Sequence, residues 1–600
     1  MMKTRQEAAQ KDVWNTEALY PNFQAWENHF KSICKEKNHN QEQWPEISKW
    51  KGKLSNEKNL SEFFKYLFNL SKELEQLYTY AHLRHDEDIA DTQHKGAYSR
   101  ITTMLHQFSQ KTAWIHPELL SLSEETIKKI IKSPDLKPYA FHIEKIVRLK
   151  PYTLSEREEE LIALSGQPFQ SFYKAFNSLS DADFSFGKIK DKEEKEYELT
   201  HASYALLLRS QDRSLRENAF KQYHQKYRDH QNTLTEIING QIQKSLYLTK
   251  ARRFPSSLDS ALFANNIPTS VYRNLITAVN KRLPSLHAYL ELRKKKLKLE
   301  KLCPWDLYVP LTNDLDIKMD YTHAVKAVVE SVAPLGAEYQ HALKNGLTQE
   351  RWVDWFENKN KRSGAYSSGC YTSAPYILMN YKNILRDVYT LAHEAGHSMH
   401  SYLSRKHQPY QYGDYPIFVA EVASTFNEDL LLRHLLTSFT EKKEQEFLIN
   451  QRIEDIRSTL FRQTMFAEFE LLIHDLTAKN IPLTPDRLNK EYLELNQKYF
   501  GESVEIGEEL SIEWARIPHF YYNFYVFQYA TGISAATALA EKVVNGGEKE
   551  RDDYLSFLKS GCSGYPIELL KKAGVDMETA EPIELAIDSF DSWVSKLSSF

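Results

Sequence analysis

Leu60-Ser-Glu-Phe-Phe-Lys-Tyr-Leu-Phe-Asn-Leu-Ser-Lys-Glu-Leu-Glu-Gln-Leu77 repeats its apolar side chains every three to four residues, with charges and amides between them. Side chains three and four apart stack on one face of a helix, so this stretch predicts a helix that buries one stripe. The same period recurs at 156–164, 214–248, 271–299, 324–343, 444–476 and 567–573, between turn signals such as Ser133-Pro134-Asp135 and Ile481-Pro482. The expected fold class is therefore all-α, mainly helical.

Two segments break the period. Asp183-Phe-Ser-Phe-Gly-Lys-Ile-Lys190 alternates and predicts a small hairpin, and the charge run Asp191-Lys-Glu-Glu-Lys-Glu196 reads as a solvated loop at a lobe boundary. This gives an N-terminal helical lobe at 1–195 and a second region at 196–600. The other break spans 362–379 and is rich in glycine, hydroxyls and tyrosine.

With 600 residues, 42% of them hydrophobic, the chain can build more than one core. A net charge of −4 from 77 basic and 81 acidic residues gives no field for nucleic acid or an anionic membrane. Cys34, Cys303, Cys370 and Cys562 are dispersed, which disfavours a disulfide framework or a thiolate cage. The first residues contain no apolar run of signal-peptide type, and the least polar window, 529–540, falls short of the roughly 20 residues that span a bilayer. A soluble, cytoplasmic protein is expected, with no nucleic-acid, membrane or obligate protein partner.

Leu391-Ala-His-Glu-Ala-Gly-His-Ser-Met-His400 contains H-E-x-x-H at His393, Glu394 and His397. Two imidazoles four residues apart on a helix can share one ion, and Glu394, rotated by about 100°, can reach a water on that ion without ligating it. About 0.06 chance matches are expected in a chain with this many histidines. The apolar residues Ile384, Leu385, Val388, Leu391, Ala392, Ala395, Met399 and Leu403 support a helix that ends before Pro409. A catalytic zinc needs a third protein ligand. His400 lies about 10.5 Å along the helix from His393, too far to share the ion, and is read as a supporting or core residue. A second helix is predicted to open at Pro416 and fold back on the first. It carries Glu421 and Glu428 seven residues apart, hence on one face. Glu421 is the candidate third ligand and Glu428 the candidate support of a ligand histidine, with an exposed pair as the alternative.

With these residues in hand, the chain resembles the M3 metallopeptidases, and within them the oligoendopeptidase F branch. There a ligand glutamate follows the motif by about 25 residues, which lands on Glu421. Ala365-Tyr-Ser-Ser-Gly369, Pro375-Tyr-Ile-Leu-Met-Asn380, Asp306-Leu-Tyr-Val-Pro310 and Asn265-Asn-Ile-Pro268 look like the same branch. The resemblance runs from about residue 14 to near the C-terminus. It implies a clam-like, two-lobed body around a deep channel that admits short peptides. It also implies substrate and oxyanion contacts from Arg516-Ile-Pro-His-Phe-Tyr-Tyr-Asn-Phe-Tyr-Val-Phe-Gln-Tyr529, where His519, Tyr522, Tyr525 and Tyr529 are expected near one side of a helix beginning at Pro518. An aromatic packing stripe is the alternative for these rings.

The expected activity is zinc-dependent endopeptidase cleavage of short oligopeptides, with one zinc per chain and Glu394 as general base. Manganese and cobalt remain open, although two histidines and a carboxylate suit zinc. The segment around Gly364, Tyr366 and Gly369, expected to form a small β element near the active site, is a candidate to pair with an extended substrate. A helical H-E-x-x-H carboxypeptidase and a noncatalytic peptide-binding scaffold are the competing readings. Intact Glu394 argues against the scaffold, because binding alone has no use for a general base.

Overall fold

A computed structural model describes residues 3–34, 43–312 and 317–600. Helix makes up 71% of the structure and strand 3%, so the all-α expectation holds. The stretch at 60–77 lies inside a helix that runs from Glu57 to Glu87. Asn56 caps it by accepting the Asn59 N–H, and Leu60, Phe63, Phe64, Leu67, Leu70, Leu74 and Leu77 form its buried stripe. Each such side chain contributes about 1.5–3 kcal/mol when withdrawn from water.

Several predicted helices are each two. The pattern at 214–248 divides into Arg213–Arg228 and Gln231–Ala251. That at 271–299 divides at Arg282, with Pro284 opening the second helix, and that at 324–343 at Ala333-Pro-Leu-Gly336, where Gly336 takes φ +87°. Proline is favoured in a first turn and cannot continue the one before. The pattern at 444–476 stays continuous, because a π-helical segment, Arg457–Phe461, joins Lys442–Ile456 to Arg462–Ala478.

The chain divides into two compact units, each assembled from three segments. The first comprises Met1–Thr153, Asp316–Thr437 and Leu539–Gly574, and the second Leu154–Leu315, Ser438–Ala538 and Val575–Phe600.

In the first unit, Trp14, Trp26, Phe30, Phe63, Leu74 and Leu77 belong to a core that extends to Tyr376 and Leu378. Those last residues lie on a small sheet of β3 (Val353–Asp354), β4 (Tyr366–Ser368) and β5 (Tyr376–Leu378). Its order is β3-β5-β4, with β3 parallel and β4 antiparallel to β5, and Ser367 opposite Ile377. The strand β4 is therefore an edge, anchored through β5 to the helical core.

The second unit carries the predicted hairpin, formed by β1 (Lys188–Lys190) and β2 (Glu196–Glu198) with Ile189 opposite Tyr197. It begins later than the alternation from Asp183, because Ser178–Asp183 continues the preceding helix as a π-type turn. The charge run supplies the turn, with Glu194 at φ +63°.

Candidate metal centre

The motif lies on helix Leu385–His407, which buries Val388, Leu391, Ala392, Ala395, Met399 and Leu403 and stops ahead of Pro409 as its period predicts. The chain returns as helix Ile417–Ser438. The two helices meet at Gly396, where a Cβ would stand 2.6 Å from the Ala423 carbonyl oxygen and the Ser424 Cα. Only glycine allows this backbone-to-backbone approach, and the Asn427 side chain adds a hydrogen bond to the Ala392 carbonyl across it.

That approach brings Glu421 and Glu428 to the two histidines. His393 Nε2 lies 3.2 Å from His397 Nε2, and Glu421 Oε2 lies 3.3 and 3.4 Å from the same two atoms. Three donors on a tetrahedral ion with bonds of about 2.1 Å stand about 3.4 Å apart, so the triangle fits a zinc-sized cation. His393 Nδ1 lies 2.5 Å from Glu428 Oε1. An ionised carboxylate can only accept, so Nδ1 donates and the Nε2 lone pair is left facing His397 and Glu421. Facing lone pairs at this separation need a cation or a proton between them. Among the described residues, His393, His397 and Glu421 are the group with metal-ligand spacing.

The electrostatics agree. Burial alone would lower the His393 pKa, but hydrogen bonds to Glu421 and Glu428 outweigh it and hold the ring's positive form up to about 10. Burial would raise Glu421, yet hydrogen bonds from His393 and His397 hold it well below the carboxylate range. The pocket is thus a local field that favours positive charge.

Glu394 is 7% exposed. Burial pushes its carboxyl up, nearby Glu421 adds to this, and the His393 and His397 rings and the Ser367 N–H oppose it. Burial thus wins, and the Glu394 carboxyl stands above the usual carboxylate range. Ser367 lies on β4, and its hydroxyl pairs with Ser398 of the motif helix at 2.8 Å, so the edge strand is tied to that helix beside Glu394. Gly364 at φ +85° and Gly369 at φ +142° bracket the strand, and the Tyr366 hydroxyl donates to Asp86 at 3.0 Å. His400 is buried and stacks on Tyr415 with ring centroids 3.6 Å apart; burial drives its pKa down to about 3. It is a core residue.

The second unit holds the other predicted group, with one correction. No helix begins at Pro518: Pro518–Tyr521 is a short 3-10 turn, and the α-helix starts at Phe527. Between them Asn523 and Phe524 take φ +51° and +56°. Non-glycine residues there cost of order 1–3 kcal/mol each, and asparagine tolerates the region best. The rings still assemble. His519 stands 5.8 Å from Tyr522, 6.4 Å from Tyr525 and 5.6 Å from Tyr529 between centroids, and its Nε2 is 3.3 Å from the Tyr529 hydroxyl. Burial lowers its pKa and favours the neutral ring. Tyr522 is 43% exposed and shares a 2.7 Å hydrogen bond with Tyr173.

Sequence reasoning missed Gly396, Ser398 and Asp86. Gly396 left a signal, since a glycine in a helix interior costs about 1 kcal/mol against alanine and asks for a packing reason. Ser398 and Asp86 left none.

The family description Peptidase family M3 matches residues 206–589, and the description Oligopeptidase F matches residues 118–186. The chain is 43% identical over 595 residues to Oligopeptidase PepF of Bacillus subtilis, covering 99% of this chain and 88% of that one. It is 39% identical over 598 residues to an Oligoendopeptidase F homolog of Lactococcus lactis, covering 100% and 98%. Among solved structures it is similar to oligoendopeptidase-F from Enterococcus faecium, at 33% identity and a TM-score of 0.72 over 98% of this chain and 99% of that one. A match over most of its length, with relatives this similar end to end, means that the chain belongs to peptidase family M3.

Proposed function

We propose that this chain is a zinc-dependent endopeptidase that hydrolyses internal bonds of short oligopeptides. The observation that carries the reading is the convergence of His393 Nε2, His397 Nε2 and Glu421 Oε2 within 3.2–3.4 Å of one another. These three residues would hold one zinc per chain, and Glu428 would fix the tautomer and orientation of His393. When bound, the ion supplies Lewis-acid polarisation of the scissile carbonyl and acidifies water.

The protein's own groups do the rest. Glu394 takes a proton from the attacking water onto its carboxylate and delivers it to the leaving amine, a role its raised pKa supports. His519, with Tyr522, Tyr525 and Tyr529, contacts the substrate and stabilises charge on the carbonyl oxygen. The neutral His519 ring and the clustered hydroxyls support that role. The outer edge of β4, between Gly364 and Gly369, pairs with the extended peptide backbone near Tyr366. The names of the relatives, oligopeptidase and oligoendopeptidase, support short peptides as substrates. Family matches on either side of residue 195 support an N-terminal lobe at 1–195 and a catalytic region at 196–600. The dispersed cysteines support a reducing compartment, and we assign the enzyme to the cytoplasm.

Digestion of a mixed peptide library, with and without chelator and read by mass spectrometry, tests this. Internal fragments that vanish with chelator and return with zinc are expected. Trimming confined to C-termini would replace the endopeptidase with a carboxypeptidase, and no turnover at full zinc occupancy would leave a binding scaffold.

A further inference from the structure

The ring group of the second unit depends on a turn that its own sequence does not favour. Two consecutive non-glycine residues, Asn523 and Phe524, take left-handed φ values of +51° and +56°. Side chains rarely adopt this region, so the surroundings must over-determine the turn. Three contacts do so. Gln241 donates to the Tyr521 carbonyl at 2.8 Å, the Ser245 hydroxyl donates to Asn523 Oδ1 at 2.7 Å, and the Phe524 N–H donates to Glu470 Oε1 at 2.6 Å. Glu470 belongs to helix Arg462–Ala478 and is 0% exposed. One turn further along the same face, His474 lies against the Phe524 ring at 4.5 Å.

A fully buried carboxyl is costly, and Glu470 Oε2 has no hydrogen-bond partner among the described residues. Its other oxygen accepts from the backbone of the strained turn. Burial lifts its pKa to about 8, which favours the neutral acid in place.

We propose that Glu470 is a positioning residue, whose carboxyl oxygen clamps the Asn523–Phe524 turn and thereby sets where His519, Tyr522, Tyr525 and Tyr529 stand. This rests on the reading above, in which those four side chains serve the peptide. The residues on either side of the turn are the ones it presents: His519 and Tyr522 before it, Tyr525 and Tyr529 after it. Releasing the Phe524 amide lets the backbone relax, and a displacement of about 1 Å in groups that act on developing charge can cost of order a hundredfold in rate.

The test measures kcat and KM on an internally quenched peptide, per mole of folded, zinc-loaded enzyme. Glu470→Met, close in volume but without an acceptor, is expected to lower kcat about 10- to 100-fold with KM within about threefold. Glu470→Gln, which keeps an accepting oxygen, is expected to stay within about threefold of wild type. Wild-type kcat in Glu470→Met, or equal damage in Glu470→Gln and Glu470→Met, overturns the inference. His519→Asn is measured beside them. If it leaves kcat untouched, the ring group is not part of the machinery and the clamp falls with it. If it lowers kcat while Glu470→Met does not, the clamp alone is wrong.

Discussion

Gly396 faces the backbone of Ala423 so closely that a single added carbon would stand 2.6 Å from the carbonyl oxygen. The first prediction follows from it. Gly396→Ala must push helix Ile417–Ser438 away from helix Leu385–His407 and carry Glu421 off the two imidazoles. Overpacking of this kind costs about 1–3 kcal/mol. Zinc affinity, measured by competition with a chromogenic chelator, should fall at least about tenfold. Unchanged affinity and an unchanged melting temperature would show that the helices tolerate the methyl.

Glu428→Met removes the acceptor that fixes the His393 Nδ1 proton, held across an Nδ1–Oε1 distance of 2.5 Å. Loss of such an outer carboxylate lowers metal affinity about 10- to 100-fold. The same chelator competition reads it, and Glu421→Ala should do worse, leaving little zinc by elemental analysis. Full zinc occupancy in Glu421→Ala would move the third ligand elsewhere.

Glu394→Gln keeps the size of the side chain and removes its basicity. Hydrolysis should drop by about 10²–10⁴ while zinc content is retained. Turnover near the wild-type rate would sink the general-base role.

Asp86 ties pH to stability. Burial would raise its pKa, but hydrogen bonds from His82 and His85, the charge of His82 and the Tyr366 hydroxyl bring it down to about 2, from 3.8 in an unstructured chain. A carboxyl depressed by folding contributes above its unfolded pKa and loses that contribution as pH falls through the folded value. Between pH 4 and pH 2 the wild type should therefore lose about 2 kcal/mol more unfolding free energy than Asp86→Asn. Parallel curves in a denaturant series at those pH values would refute it. Asp86→Leu, which keeps no acceptor, should also raise KM, because Tyr366 of β4 loses its anchor.

How far the sequence carried depends on what each element had to reveal. The helix around 60–77 was legible because a long apolar stripe has one periodic explanation, and the motif helix because chemistry and period coincide there. Breaks inside periodic runs were less visible. Asp229-His230 interrupts two helices without proline or glycine, while Arg457–Phe461 absorbs an extra residue as a π segment and breaks nothing. The region after Pro518 read as one helix because nothing from His519 to Val526 forbids it locally. What forbids it is tertiary: Gln241, Ser245 and Glu470, distant in sequence, hold the backbone in another shape. Only Asn523, an asparagine tolerant of left-handed φ, hinted at the departure. Glu421 and Glu428 could be picked out by spacing, but their pairing with particular imidazole nitrogens depends on the interhelical distance that Gly396 permits.

The strand β4 is only three residues long, and its outer edge lies between two glycines with positive φ. A long, flat, unpaired edge invites other chains to add to it and aggregate; one this short offers a ladder too brief to hold a stranger. Main-chain hydrogen bonds along it would also be blind to side-chain identity, since every residue but proline presents the same donor and acceptor. An enzyme that grips its substrate here would accept many sequences and release them readily, and would leave selectivity to pockets that contact side chains.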